Sequence, residues 1–319
     1  MLYGVLTLLL IGTILVYFRI ARRFNIVDVP NHRSSHTRAT IRGAGVIFPL
    51  SVVFCSVLFG GINPLLIIAL CAISMVSFAD DIKPQQAGIR FAIHILAVTL
   101  AMYVLNVYVL WPVWIIVFAY IIALGLVNAF NFMDGINGIT GVYSLVALLS
   151  MWYINHSINT FTGDASLLCP AIACIVFLYF NFRKKALCFA GDVGAVAIAF
   201  WLIVLSILII NKTHSYKYLF IFSVYSVDMV FTLIKRIILR QNPLQPHRLH
   251  IYQLLVSNGG YSHLKVALLY GLLQLFINIF LFTTDLSFGF YLFFIVLAGC
   301  AFYLFFERRY RVKQAISIK

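Results

Sequence analysis

Apolar residues along this chain come in blocks of about 15 to 20, the length a helix needs to cross a hydrocarbon layer of about 30 Å. Eleven blocks are legible, near 3–18, 44–61, 65–79, 91–109, 113–127, 139–154, 167–180, 194–210, 218–234, 264–282 and 287–305. They predict an all-α, polytopic membrane bundle of about eleven transmembrane helices, with residues 1–319 forming a single domain. The blocks break at Gly60-Gly61-Ile62-Asn63-Pro64, Trp111-Pro112, Asn211-Lys212-Thr213-His214 and Thr283-Thr284-Asp285, where turn formers and polar residues interrupt the runs. Links this short join antiparallel helices.

Composition sharpens the reading. Only 10% of residues are charged and 63% are hydrophobic, and mean hydropathy is +1.02, against roughly 25% charged residues in a soluble domain. The first block has no basic residue before it and Arg19, Arg22 and Arg23 after it, so it reads as a retained span with its N-terminus outside. Counting from there, 21 of the 23 Lys and Arg fall on the inner side, leaving only Lys212 and Lys217 outside. That asymmetry places the C-terminus in the cytoplasm. The net charge of +14 is then accounted for by topology and contact with anionic lipid, and no nucleic-acid partner is expected. Five of the six cysteines lie in apolar spans and none forms a C-x-x-C pair, so they read as small core hydrophobes.

The nine acidic residues are more informative. Asp28, Asp80, Asp81, Asp134 and Asp192 fall in or beside inner loops, and Asp228 lies in a span near its inner end. A carboxylate so close to hydrocarbon is costly and usually has a partner or a task. Asp80-Asp81 closes the third span, where two adjacent carboxylates repel each other and meet the negative end of the helix dipole, so a cation is favoured nearby. Asn128-Ala129-Phe130-Asn131-Phe132-Met133-Asp134-Gly135-Ile136-Asn137-Gly138 joins the fifth and sixth spans. It packs amide and carboxylate oxygens beside glycines at the start of a helix, where an anion and a hard cation can both bind. Asn181, Arg183, Lys184 and Lys185 precede Ala190-Gly191-Asp192-Val193-Gly194, a second Gly-flanked Asp.

Two inner loops carry histidines beside arginines. His247-Arg248-Leu249-His250 lies in the longest, and Asp28-Val29-Pro30-Asn31-His32-Arg33-Ser34-Ser35-His36 in the first, which ends at Arg42-Gly43-Ala44-Gly45. Such pairs suit phosphate better than zinc, because no third ligand stands in register. His94, His156 and His214 read as interfacial or loop residues. Carboxylates with amide oxygens favour Mg²⁺ or Mn²⁺, and basic loops favour a phosphorylated ligand. Together they describe phosphoryl transfer at a membrane surface with a lipid partner. A transporter would place its ionisable groups at mid-membrane on broken helices, and a scaffold would not need these motifs.

Four motifs, Asp80-Asp81, Asn131-Phe132-Met133-Asp134-Gly135, Phe189-Ala190-Gly191-Asp192-Val193-Gly194 and His247-Arg248-Leu249-His250, resemble the polyprenyl-phosphate N-acetylhexosamine-1-phosphate transferases, glycosyltransferase family 4. The resemblance runs from Asp28 to about His263, and the histidine stretches look most like the O-antigen-initiating branch of lipopolysaccharide synthesis. It implies an enzyme of the bacterial inner membrane that moves a sugar-1-phosphate from a UDP-N-acetylhexosamine to undecaprenyl phosphate and releases UMP. It also implies Asp192 and Asn131 at a Mg²⁺ ion, with Mn²⁺ an alternative, and Asp134 beside metal and nucleotide. Asp80 and Asp81 would handle the lipid phosphate, and His247, Arg248 and His250 the diphosphate or sugar, with His36, Asn137 and Asn181 also in the substrate site. Asn137 stands where many members have Asp, and Gly43-Ala44-Gly45 replaces three glycines. GlcNAc, FucNAc and QuiNAc donors all remain open, as does the oligomeric state. The four aspartates sit at loop ends, so replacing each by Asn is expected to leave folding intact.

Overall fold

The computed structural model describes residues 1–29, 39–242 and 248–317 of the protein. Thirteen α-helices and one two-stranded ribbon account for most of them. After α1 (Leu2–Arg23), strands β1 (Val27–Asp28) and β2 (Thr40–Ile41) pair antiparallel, Val27 opposite Ile41. A 3₁₀ turn at Ala44–Val46 leads into α2 (Ile47–Phe59), followed by α3 (Pro64–Ile82), α4 (Ala87–Val104), the short α5 (Val107–Leu110) and α6 (Val113–Met133). Then come α7 (Ile139–Ser157), α8 (Ala165–Asn181) and α9 (Gly191–Thr213). A 3₁₀ segment, Tyr216–Phe222, precedes α10 (Ser223–Ile238), α11 (Ile251–Ser257), α12 (His263–Thr283) and α13 (Phe288–Ser317).

Each expected span falls on a helix, and eight stretches are long and apolar enough to cross a membrane. The regions around α2 and α8 are shorter apolar helices. Helix α7 has the length but carries buried Thr140, Ser144, Ser150 and Asn155, which dilute its hydropathy. Two expected spans are not continuous. The block at 91–109 ends as α4 at Val104, because Asn106 takes a left-handed φ of 57° before α5. The block at 218–234 begins as 3₁₀ helix, and the change of winding frees backbone groups that hydrocarbon cannot satisfy. Gln274 of α12 satisfies them: its Nε2 donates to Phe220 O at 2.9 Å and its Oε1 accepts from Val224 N at 3.1 Å.

Helix α9 is apolar all round, and 94% of its most apolar stretch is buried, so it is the axis of the bundle. Helices α2, α3, α6 and α7 pack around it. Outer helices leave Leu, Ile and Phe exposed, as a lipid-facing surface requires; for α13 only 17% of the apolar stretch is buried.

The first turn of α9 touches the turn before α2 backbone to backbone. A Cβ on Gly45 would lie 2.4 Å from Gly194 Cα, and one on Gly194 would lie 2.7 Å from Gly45 Cα. Neither neighbour is a side chain that can rotate away, so Gly45→Ala is expected to separate the two segments and lower the melting temperature measurably. A thermal-unfolding curve in detergent matching the parent would show that the crossing tolerates a methyl group.

Candidate active site

The site is assembled where α3 ends and α9 begins. Gly191, with φ of 72°, turns the chain into α9 and leaves the first amides without intrahelical partners. Asp81 supplies them: Oδ1 accepts from Asp192 N at 2.9 Å and Oδ2 from Val193 N at 3.0 Å. Beside this cap runs the chain after β2, bonded to the strand-like approach to α9. Phe189 N donates to Ile41 O at 2.7 Å, and Ala44 N and Gly45 N donate to Phe189 O and Ala190 O, both at 3.0 Å. Tyr17 of α1 donates its hydroxyl to Arg42 O, fixing the same segment from behind.

Arg42 is thereby aimed between two carboxylates. Its Nε lies 2.6 Å from Asp81 Oδ1 and its Nη2 2.8 Å from Asp192 Oδ1. Arg90, on the first turn of α4, places Nη1 2.6 Å from Asp80 Oδ2 and 3.6 Å from Asp192 Oδ2. Asp80 Oδ1 also accepts from Gln85 N at 2.6 Å. Asn131, at the end of α6, hydrogen-bonds the Asp192 carboxylate, which the Asp80 carboxylate also approaches. Three carboxylates, two guanidiniums and an amide therefore meet at one end of the bundle. Burial alone would lower the pKa of Arg42, but Asp81 and Asp192 raise it above arginine's ordinary value.

Asp134 follows α6, and its Oδ1 accepts from Thr140 Oγ1 of α7 at 2.6 Å. Burial pushes its carboxyl up to about 7; the Thr140 bond opposes the shift, and Asp192 and Asp81 add to it. Near neutrality it can therefore hold or release a proton. Asn137 and Asn181 are each 5% exposed and bonded to backbone. Asn137 Nδ2 donates to Arg183 O at 2.8 Å, while Asn181 accepts from Gly138 N at 2.6 Å and donates to Cys188 O at 2.7 Å. In this structure both amides stitch the start of α7 to the loop before α9, beside the carboxylates and not in contact with open solvent.

Three features revise the sequence reading. Asp81 does not sit loosely at a loop end, since its side chain is 0% exposed, so replacing it is expected to disturb the α9 cap as well as the site. His250 is 3% exposed and its Nδ1 lies 3.2 Å from Asp228 Oδ1, inside the protein and not open to a ligand. Arg248 is half-buried, and His36 and His247 lie outside the described residues. His94 is buried one helical turn beyond Arg90, not interfacial.

The sequence reading left Arg42 and Arg90 without a role in the site, because the inner-side charge excess already accounts for both. It likewise treated Arg22, Lys184 and Lys185 as topology signals. With His263 and Asn137 they line a cavity of about 630 Å³ whose wall includes Ile41, next to Arg42, and Phe189, three residues before Asp192, while the cluster's own side chains do not line it. Among the described residues no three acidic, His or Cys side chains close a metal cage. Asp80, Asp192 and Asn131 instead offer an oxygen-only, partial set. That set fits Mg²⁺, which is commonly held by one or two carboxylates together with substrate phosphates.

Residues 63–210 match the model of glycosyl transferase family 4. Over this segment the chain is similar to family 4. The matched segment holds Asp80, Asp81, Arg90, Asn131, Asp134, Asn181 and Asp192, and leaves Arg42, Asp228 and His250 outside. The undecaprenyl-phosphate α-N-acetylglucosaminyl 1-phosphate transferase of Thermotoga maritima is 25% identical over 293 residues, covering 89% of each chain. The probable undecaprenyl-phosphate N-acetylglucosaminyl 1-phosphate transferase of Bacillus subtilis is 25% identical over 293 residues, covering 84% of this chain and 79% of its own. The decaprenyl-phosphate N-acetylglucosaminephosphotransferase of Mycolicibacterium smegmatis is 23% identical over 314 residues, covering 82% and 77%. The chain described here is a polytopic helical membrane protein, and the relatives it resembles are phospho-sugar transferases.

Proposed function

We propose that the protein transfers an N-acetylated-hexosamine-1-phosphate from a UDP-sugar to undecaprenyl phosphate, releasing UMP. This would form the first lipid-linked sugar of a cell-surface polysaccharide, at the cytoplasmic face of the bacterial inner membrane. The His247-Arg248-Leu249-His250 motif favours an O-antigen-type pathway. The observation that carries the reading is the Asp80, Asp81, Asp192, Arg42 and Arg90 cluster, set at the helix ends beside a cation-lined cavity. The relatives named above act on polyprenyl phosphates and N-acetylglucosaminyl 1-phosphate, and their likeness spans most of this chain.

In the reaction a lipid-phosphate oxygen attacks the sugar-linked phosphorus, and the bond from that phosphorus to the oxygen bridging it to UMP breaks in line. A phosphate monoester has a second pKa near 6, so the acceptor is already a dianion at neutral pH and needs no strong base. Arg42 and Arg90 sit where phosphoryl oxygens would gather charge, and Asp81 holds Arg42 in place. Asp134 would stand beside the donor's nucleotide, held by Thr140. The cavity lined by Arg22, Lys184, Lys185 and His263 would receive the anionic donor. Asp192 and Asn131 would hold Mg²⁺, or Mn²⁺ in its place, and Asp80 with its partner Arg90 would face the lipid phosphate. When bound, the ion neutralises charge on the diphosphate and the departing UMP.

Purified protein incubated with undecaprenyl phosphate and a panel of UDP-sugars, including UDP-GlcNAc, is expected to release UMP and give a lipid product heavier by one sugar phosphate. Chelation should abolish release and added Mg²⁺ restore it. No UMP from any donor would remove the function, and full turnover in metal-free buffer would remove the metal.

A further inference from the structure

Asp228 belongs to none of the motifs above, yet it is among the best-bonded carboxylates in the protein. It is 2% exposed, on the inward face of α10. Its Oδ1 lies 3.0 Å from Ile251 N and 3.2 Å from both His250 Nδ1 and Thr232 Oγ1. Its Oδ2 accepts from Tyr270 Oη at 2.6 Å and Tyr252 N at 3.4 Å. One carboxylate thus ties α10, the start of α11 and α12 together. Buried carboxylates are kept only when so satisfied.

What the pinned helix α11 touches is the functional loop. Tyr252 Oη donates to Phe132 O at 2.8 Å, and a Cβ on Gly135 would lie 2.2 Å from that hydroxyl oxygen. The His250 ring lies 6.4 Å from the Phe132 ring. Phe132 and Gly135 flank Met133-Asp134, Asn131 precedes them, and Asn137 further along lines the cation-lined cavity. Gly135 is needed because the tyrosine oxygen occupies the space of its missing side chain.

We infer that Asp228 is a positioning residue for the donor half of the site, acting through α11 and Tyr252 on the Asn131–Asn137 loop. The inference rests on the donor being a UDP-sugar, as proposed above. The lipid-phosphate half, built on Asp80 and Arg90, does not lean on α11. A carboxylate serving only the fold would change the amount of folded enzyme and leave both Michaelis constants alone.

The test uses full-length protein in detergent, with UDP-GlcNAc or whichever panel donor gives turnover. Asp228→Asn is expected to raise KM for the UDP-sugar at least about tenfold while KM for undecaprenyl phosphate stays within about twofold. Tyr252→Phe, which deletes one hydroxyl, should raise the same constant several-fold, and the double variant should be little worse than Asp228→Asn because both act on one contact chain. Hydrogen exchange gives a readout independent of turnover. In Asp228→Asn the amides of 251–257 and 131–135 should lose protection together, with those of α3 and α9 unchanged. An unchanged donor KM in monodisperse protein, or factors that multiply in the double variant, would overturn the inference. So would loosening confined to 251–257. If wild-type protein turns over no UDP-sugar, the proposed function fails, and the exchange pattern still decides whether Asp228 governs the loop.

Discussion

Asp192→Asn is expected to lower turnover at least about a hundredfold, the scale of losing one strong electrostatic contact at a reacting phosphoryl group. The substitution keeps the shape of the side chain and removes its charge. Arg42 and Arg90 then lose the carboxylate they share, and the oxygen set facing Asn131 loses its strongest donor. The Asp192 side chain is 16% exposed, and the α9 cap is made by Asp81 to backbone amides that the substitution does not touch. Thermal stability should therefore stay near that of the parent. The check is UMP release per monodisperse enzyme, alongside a melting curve. Turnover within a few-fold of wild type would remove Asp192 from the chemistry.

Asp192 could be picked out of the sequence because its surroundings were wrong for its position: a charge flanked by glycines at the mouth of the most apolar block in the chain. The same logic singles out Asp80, Asp81, Asn131 and Asp134. The helices were legible for an equally simple reason, since hydrocarbon forces long unbroken apolar runs. What escaped notice was residue types with two sufficient explanations. Arg42 and Arg90 satisfy the positive-inside asymmetry wherever their side chains point, and only the pairing of Ile41 with Phe189 and Cys188 shows that Arg42 reaches Asp81 and Asp192. Asp228 looked like an isolated polar residue because its donors come from residues 250–252 and 270, far along the chain. Gln274 sits in an apolar run, and nothing local announces that it closes the 3₁₀ break at Phe220. A motif does not distinguish a carboxylate that faces open space from one that caps a helix, so in the sequence Asp81 reads like Asp80.

Arg42→Ala is expected to damage both stability and turnover, and comparison with Arg42→Lys separates the two effects. The guanidinium bonds Asp81 through Nε and Asp192 through Nη2, a geometry that one planar fork can meet. Removing it leaves Asp81, whose side chain has no solvent exposure, without its cation. Breaking one partner of a buried pair costs about 3 to 5 kcal/mol; Arg42 itself is 33% exposed, so a loss toward or below the lower end is expected. The segment carrying Arg42 is also held by Tyr17 and by the backbone bonds to Phe189 and Ala190, so the fold should survive with a lower melting temperature. Turnover should fall about a hundredfold, because in the proposed reaction this cation faces the charge that gathers on the phosphoryl oxygens. Lysine keeps the charge but presents a single point donor, which can reach Asp81 or Asp192 and not both. Arg42→Lys should therefore recover most of the stability and only a minor part of the turnover. Equal recovery of both in melting and UMP-release measurements would mean that charge alone matters. Wild-type turnover in Arg42→Ala would place the residue outside the reaction.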